Sequence, residues 1–305
     1  MAWYAVRAAG ESVAATKALL AGASLRMWLR LSILVLFVGT LVSPFLVDFN
    51  NSSMVLGAIE RTDTTALLML IVLVSVLFLC IGTVFEFVFL DALRGESVQL
   101  IAGSERRFYP GMQVFALRLA LFGIAGSPIL VAVISFSTRW AIALSVCFGL
   151  LMLLLDRLTV GFVVPIMLIE DCSLAAGWRI FASSLSADWG EYLIYLLIVV
   201  TLWLAVAIAG GLVGALFALG LLVPFGTIGV AVSELLFTQG LSEAVVTQAV
   251  LGTLALPYLL VFSVSVLLIH VPLITYLRYI GLFVLGDTTQ RYDPIPQLRA
   301  AIRRG

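Results

Sequence analysis

Five charged side chains stand where a chain this apolar should carry none. Glu86, Arg118, Asp156, Arg157 and Arg278 all fall inside, or at the edge of, long apolar runs. A charge within a bilayer is costly and marks either a functional group or an ion pair. The functional reading is a polar, water-accessible cavity open to the cytoplasm. The structural reading is a set of interhelical ion pairs and snorkelling side chains near the inner interface. Asp156 and Arg157 are neighbours, so on a helix they point about 100° apart, and each needs a partner on another helix. Glu86 is expected to meet Arg118 across consecutive spans. His270, the single histidine, precedes Pro272 by two residues. One histidine without a second His or a Cys makes a poor metal site. It can relay protons or hydrogen-bond between helices beside the carbonyls that the proline frees. The candidate intramembrane polar cluster is therefore Glu86, Arg118, Asp156, Arg157, His270 and Arg278.

Other chemistry is not legible. Cys80, Cys147 and Cys172 show no paired spacing, which argues against a disulfide framework or a zinc site. The chain contains no G-x-x-x-x-G-K-[ST], G-x-S-x-G or H-E-x-x-H. Segments outside the apolar runs are too short for a nucleotide-binding domain, so any coupled ATPase belongs to a separate chain. No catalytic residue, cofactor or metal is expected. Asn50-Asn51-Ser52 and Asn51-Ser52-Ser53 form overlapping glycosylation triplets beside an apolar run.

The elements that must position these charges follow from composition. Of 305 residues, 63% are hydrophobic and 11% charged. Soluble domains carry about a quarter charged residues. No soluble fold of this size hides so much apolar surface, whereas hydrocarbon solvates it. Seventeen basic and seventeen acidic residues cancel, so charge offers nothing to nucleic acid. A helix needs about 20 apolar residues to cross the hydrocarbon core. Six runs qualify: Trp28–Val47, Leu67–Leu90, Met112–Phe136, Trp140–Ile169, Tyr192–Leu216 and Val250–Tyr276. The expected fold is an all-α, polytopic transmembrane bundle of about six spans, with amphipathic surface helices at the N-terminus and on the cytoplasmic side. Residues 1–27 form the N-terminal segment, 28–285 the bundle and 286–305 a tail.

Twelve Lys and Arg residues lie in the N-terminal segment, the loops after spans two and four, and the tail, against Arg61 and Arg139 on the opposite side. The positive-inside rule puts both termini in the cytoplasm and the protein in the cell membrane, with the lipid bilayer as its first partner and other membrane or cytoplasmic subunits as further ones.

Residues 2–24 read as a weak amphipathic helix with Val6, Val13 and Leu20 on one face and Arg7 and Glu11 nearly opposite. It lies on the membrane surface or packs on the protein's own inner face. In Asp171–Trp189, Leu174, Trp178, Phe181 and Leu185 make one apolar stripe, with Asp171 or Ser173 as the cap. The segment 221–248, with Pro224 and Gly226, reads as a re-entrant or surface helix, or else as a seventh span. Gly210-x-x-x-Gly214 in span five reads as a packing face within the bundle.

Three stretches carry a resemblance: Val84-Phe-Glu-Phe-Val-Phe-Leu-Asp-Ala-Leu-Arg94; Phe162-Val-Val-Pro165 with Ile169-Glu-Asp171 and Gly177-Trp-Arg179; and Arg278-Tyr-Ile-Gly-Leu-Phe-Val-Leu-Gly286 with Tyr292-Asp-Pro-Ile-Pro296. Together they resemble an uncharacterised family of archaeal multi-pass membrane proteins. That family in turn is similar to the membrane domain attached to some glycerophosphodiester phosphodiesterases. The resemblance implies a six-span bundle with a cytoplasmic amphipathic helix after span four, and a structural turn at Pro165–Glu170. It brings no catalytic residues.

The function expected is a non-catalytic scaffold, regulatory or transport-associated membrane component. A permease for an ion, small solute or lipid, using the charged cavity, is the alternative. An intramembrane enzyme ranks below both.

Overall fold

The computed structural model describes residues 4–38, 64–95, 99–135 and 138–304. Among these every regular element is helical. Backbone polar groups in an apolar medium must be satisfied within the chain, and a helix does this with no partner segment. Five helices are long and apolar enough to cross a membrane: Val72–Leu93, Leu100–Pro128, Ala143–Glu170, Trp189–Thr238 and Glu243–Thr288. Residues 39–47 of the first expected span lie outside the described residues, as do the glycosylation triplets. The chain divides into two compact units, one of residues 1–200 and 272–305, the other of residues 201–271.

In the first unit, α1 (Tyr4–Ala21) and α2 (Leu25–Val38) precede α3 (Thr64–Leu93) and α4 (Leu100–Ser135). Val6 and Val13 of α1 are exposed, and the buried row is Ala5, Ala8, Ser12 and Ala15. Small side chains let α1 approach its neighbour closely, and α1 packs on the C-terminal helix. α2 lies on α3 through Phe37, whose ring is 4.7 Å from that of Phe78 and 5.3 Å from that of Phe85.

α3 and α4 are held closer than ordinary side chains allow. A Cβ on Gly111 would stand 2.8 Å from Val84 Cγ2 and 2.9 Å from Val84 Cα. At the turn between them, Arg107 forks onto Asp91 with bonds of 3.1 and 3.3 Å. α4 starts at Leu100, so most of the expected loop before span three is helix.

α5 (Thr138–Leu158) continues into a π-helical turn (Thr159–Val163) and then α6 (Val164–Glu170). Pro165 explains the turn. In a regular helix its ring would clash with the carbonyl four residues back and a bond would be lost. Widening to the π geometry relieves this, and the Val164 N–H donates to the Thr159 carbonyl. α6 ends at Asp171 in the left-handed region, φ 48°. Ser173, not Asp171, caps α7 (Leu174–Ala187), its side chain accepting from the Ala176 N–H. The predicted stripe is the covered side of α7: Phe181 is buried, and Leu174, Trp178 and Leu185 are half-buried.

α8 (Trp189–Thr238) and α9 (Glu243–Thr288) have 50 and 46 residues. The expectation of a separate re-entrant or surface element over 221–248 is corrected, because α8 runs straight through Pro224. At 1.5 Å per residue α8 is about 75 Å long, more than twice the roughly 30 Å hydrocarbon core. The break falls instead at Gly240, where φ is +75° and the Gly240 N–H closes onto the Phe237 carbonyl. Only glycine takes that conformation freely.

The second unit comprises residues 201–271 of these two helices. Its tight approach is at Gly229, where a Cβ would stand 3.4 Å from Leu254 and Val250. Tyr258 donates its hydroxyl to the Ala218 carbonyl at 3.0 Å and meets Phe225 edge-on. Within this unit a Cβ at Gly210 or Gly214 meets no atom within 4 Å. The interhelical approach lies further along α8.

In the first unit again, a 3-10 turn (Gln290–Tyr292) follows the end of α9 and leads to α10 (Pro296–Arg304).

Candidate functional site

Four of the five intramembrane charges form one bonded network, each from a different helix of the first unit. Arg118 of α4 is its hub. Its Nε donates to Asp156 Oδ1 of α5 at 2.7 Å, and its Nη2 to Glu86 Oε1 of α3 at 3.3 Å. Arg278 of α9 donates from Nη2 to both Glu86 oxygens, at 2.8 and 2.6 Å. The Glu86–Arg118 pairing is present, as the span order suggested, but Glu86 is shared with Arg278. Asp156 finds its partner on another helix. Arg157, adjacent in sequence and half-buried, feels the charges of Asp156, Arg278 and Glu86.

The Glu86, Arg118 and Asp156 side chains are 1%, 3% and 4% exposed. With water excluded, each charge depends on the others, and deleting one leaves a buried ion uncompensated. Chemically, these groups fix four helices at one level. Arg118 bridges two carboxylates that would otherwise repel.

His270 lies on α9. It belongs to the second unit, and its Nδ1 lies 2.8 Å from the Val266 carbonyl oxygen of its own helix. A carbonyl can only accept, so this contact assigns the proton to Nδ1.

Several residues that hold the network were not singled out in the sequence. A Cβ on Gly161 would stand 2.7 Å from the Tyr195 hydroxyl oxygen, and one on Gly281 3.3 Å from the same oxygen and from the Gly161 carbonyl. The π turn, α8 and α9 therefore meet where two glycines leave room for one tyrosine. Phe162, turned inward by the π geometry, stacks on Phe181 at 5.2 Å and meets Tyr192 and Tyr195 edge-on at 4.9 and 4.7 Å. Edge-to-face aromatic pairs add about 0.5–1.5 kcal/mol each beyond burial. Tyr192 Oη shares hydrogen bonds with Ser184 and Thr288, at 2.7 and 2.9 Å. Phe162 and Phe181 stood in the stretch before Pro165 and in the stripe of α7; their meeting with Tyr192 and Tyr195 left no signal, because these partners lie on separate helices.

A second charge group joins the two termini. Asp287, 4% exposed at its side chain, accepts from Arg7 Nη2 of α1 at 2.7 Å and from Arg299 Nη1 of α10 at 2.7 Å. It also accepts from Arg303 Nη2 at 2.9 Å, and Arg303 forks onto Glu11 of α1 with two 2.9 Å bonds. Gly286 makes this possible, because any Cβ there would collide with the Arg299 guanidinium. Arg299 also forms an ion pair with Asp293 and donates from Nη2 to the Phe283 carbonyl. Burial pulls the Arg299 guanidinium below its ordinary value, with Asp293 and Asp287 opposing. Hydrogen bonds to Glu11 chiefly push Arg303 upward. Both remain cationic at neutral pH. Arg303 is partly solvated, so Arg303→Ala is expected to cost no more than about 1 kcal/mol globally. It should nonetheless speed tryptic cleavage within α10 several-fold, and an unchanged cleavage rate would contradict the clamp.

Fold and network together define an all-helical protein with five helices able to cross a membrane and a buried four-helix ion network on the same helices. The chain belongs to DUF7544, a family of unknown function, which it matches over residues 3–295. No curated protein and no solved structure matches it.

Proposed function

We propose that this protein is a six-span integral membrane protein of the cell membrane, with both termini in the cytoplasm, acting as a non-catalytic scaffold, regulatory or transport-associated component. The observation carrying this reading is the closure of the ion network. Glu86, Arg118 and Asp156 spend their charge on one another in a dry setting. Groups so engaged serve to fix helices rather than to turn over a substrate. The bond between Glu11 and Arg303 supports the topology. Helices so bonded suit a reading with both termini on one side of the membrane and an even number of crossings. The excess of basic residues there favours the cytoplasm. The exposed Val6 and Val13 of α1 and the apolar margin of α7 suit the inner membrane surface.

The resemblance to archaeal membrane proteins, and to membrane domains that accompany a phosphodiesterase, belongs to the same reading. The chemistry resides in a partner, and this chain supplies the membrane part. Affinity purification from native membranes under mild detergent tests it. A stoichiometric partner bearing a catalytic or nucleotide-binding domain is the expected result. Selective solute flux by the purified chain alone in proteoliposomes would overturn it. For the topology, the pair Glu11→Cys and Arg303→Cys is expected to form a disulfide in intact membranes on mild oxidation. Failure to crosslink, with the two cysteines labelled from opposite sides, would refute co-facial termini.

A further inference from the structure

We propose that the seat holding α10 is a receptor for a basic amphipathic helix with arginines four residues apart, and that α10 is its internal occupant, displaced when such a helix on a partner protein engages the same seat.

The first argument is that the seat is built without α10. Its walls are α1 and the last turn of α9. Arg7 Nη2 of α1 donates to Asp287 Oδ2 of α9 at 2.7 Å, and α10 supplies neither group. The two walls therefore stay joined when α10 leaves. Between them stand the carboxylates of Glu11 and Asp287, 13% and 4% exposed. Among the described residues, their ion pairs run to Arg7 and to Arg299 and Arg303 of α10. With α10 gone, Arg7 is left to serve both carboxylates, and the seat draws in further guanidiniums.

The second argument is what the seat reads. Arg299 and Arg303 are about one helical turn apart and share a face. Asp287 accepts from both, at 2.7 Å from Arg299 Nη1 and 2.9 Å from Arg303 Nη2. Glu11 takes Arg303 bidentately, from Nε and Nη2, each at 2.9 Å. Gly286 leaves the floor open, so that Arg299 Nη2 reaches the Phe283 carbonyl at 3.1 Å and its guanidinium stands 5.6 Å from the Phe283 ring. A planar fork satisfies this set of acceptors, whereas a lysine ammonium meets it only as a point charge. The seat thus specifies Arg-x-x-x-Arg.

The third argument is that α10 is held in a way that lets it leave. Of its nine residues the buried one is Arg299, and Leu298 and Ile302 are half-buried. Helices shorter than about 12–15 residues are marginal by themselves, so α10 keeps its helix by docking. The chain is pinned just before it: Pro294 and Ile295 are buried, and Arg94 Nε donates to the Pro294 carbonyl at 3.3 Å. Release is confined to α10, and the inner ends of the bundle stay tied.

The inference rests on the scaffold reading above, in which the chemistry resides in a partner, and it states what that partner presents to this chain. Its test needs no partner, so its failure and the failure of that reading are separate results. The full-length protein in detergent is probed with a labelled peptide of residues 296–305. Fluorescence anisotropy reads binding to the wild type and to the variant with Arg299→Gln and Arg303→Gln, whose resident helix has lost its ion pairs. The variant is expected to bind the peptide about tenfold more tightly than the wild type, whose seat is filled. A peptide with the same two substitutions should bind neither protein, and Glu11→Gln added to the variant should weaken the unmodified peptide severalfold. Should the variant not fold, the wild type decides. Isotopically labelled to tell its fragments from those of the probe, it should take up deuterium faster over residues 296–304 with excess peptide, and not with the substituted peptide. The proposal is overturned if the peptide binds the folded variant no better than the wild type, if the substituted peptide binds equally, if Glu11→Gln changes nothing, or if excess peptide leaves exchange over α10 unaltered. Binding of the peptide to phosphatidylglycerol vesicles but to neither protein would also overturn it, making α10 a helix for the acidic membrane surface.

Discussion

Arg118→Met is expected to destabilise the protein by about 3–5 kcal/mol, the usual cost of removing one partner from a buried ion pair. Methionine matches much of the arginine's length, so the loss is chiefly electrostatic. Asp156 loses its 2.7 Å donor and Glu86 its 3.3 Å one, and both carboxylates stay buried. Thermal unfolding in detergent should show a large drop in midpoint and earlier loss of the monodisperse species. The double variant Arg118→Met with Asp156→Asn separates this cause from packing. It removes the stranded carboxylate while Arg278 still neutralises Glu86 through its 2.6 Å contact. The double variant should regain most of the lost stability. If both melt alike, the network is not held by charge compensation. If Arg118→Met melts like the wild type, the network contributes nothing to the fold.

Gly111→Val should cost about 1–3 kcal/mol, the range for overpacking a tight contact. The obstacle is the Val84 backbone: a Cβ at 111 would stand 2.9 Å from Val84 Cα and 3.2 Å from its nitrogen. A backbone cannot swing aside, so α3 and α4 must separate. Their separation also stretches Arg118 from Glu86, two residues beyond Val84. Gly103→Ala on the same helix is the contrast. Its Cβ meets only the side chain of Val88, at 3.3 Å, and alanine gains up to about 1 kcal/mol in helix propensity over glycine. Its net effect should lie near zero. Equal destabilisation by the two would mean that loss of glycine, not the helix approach, sets the cost.

The sequence by itself determined the solvent, the secondary structure and the interior charges that need partners. Long apolar runs leave a helix as the only economical way to satisfy the backbone. Adjacent residues on a helix diverge, so Asp156 and Arg157 had to look to other helices. The consecutive order of α3 and α4 made Glu86 and Arg118 natural partners. The stripe of α7 was also legible, because it is local; the turn that the resemblance implied at Pro165–Glu170 is corrected, since Val164–Glu170 is helix and the irregular turn precedes it at Thr159–Val163.

Only the tertiary structure decided the rest. That Glu86 is shared by Arg118 and Arg278, 192 residues from Glu86 in sequence, depends on which helices stand side by side, and one-dimensional periodicity carries no such information. Which face of α1 packs on α10 depends on the same thing. Hydrophobicity picks out Val6 and Val13, but close helix contact selects Ala5, Ala8, Ser12 and Ala15, and apolar side chains are free to face outward where lipid is the solvent. Pro224 read as a break because a proline removes one helical bond. The helix continues through it since apolar surroundings offer the backbone no other partner, and the chain turns only where Gly240 can take a positive φ. The Asp287 cluster depends on a glycine 13 residues before Arg299 that leaves space for its guanidinium. Space between elements is a property of the assembled fold, and it appears in the sequence only as a missing side chain.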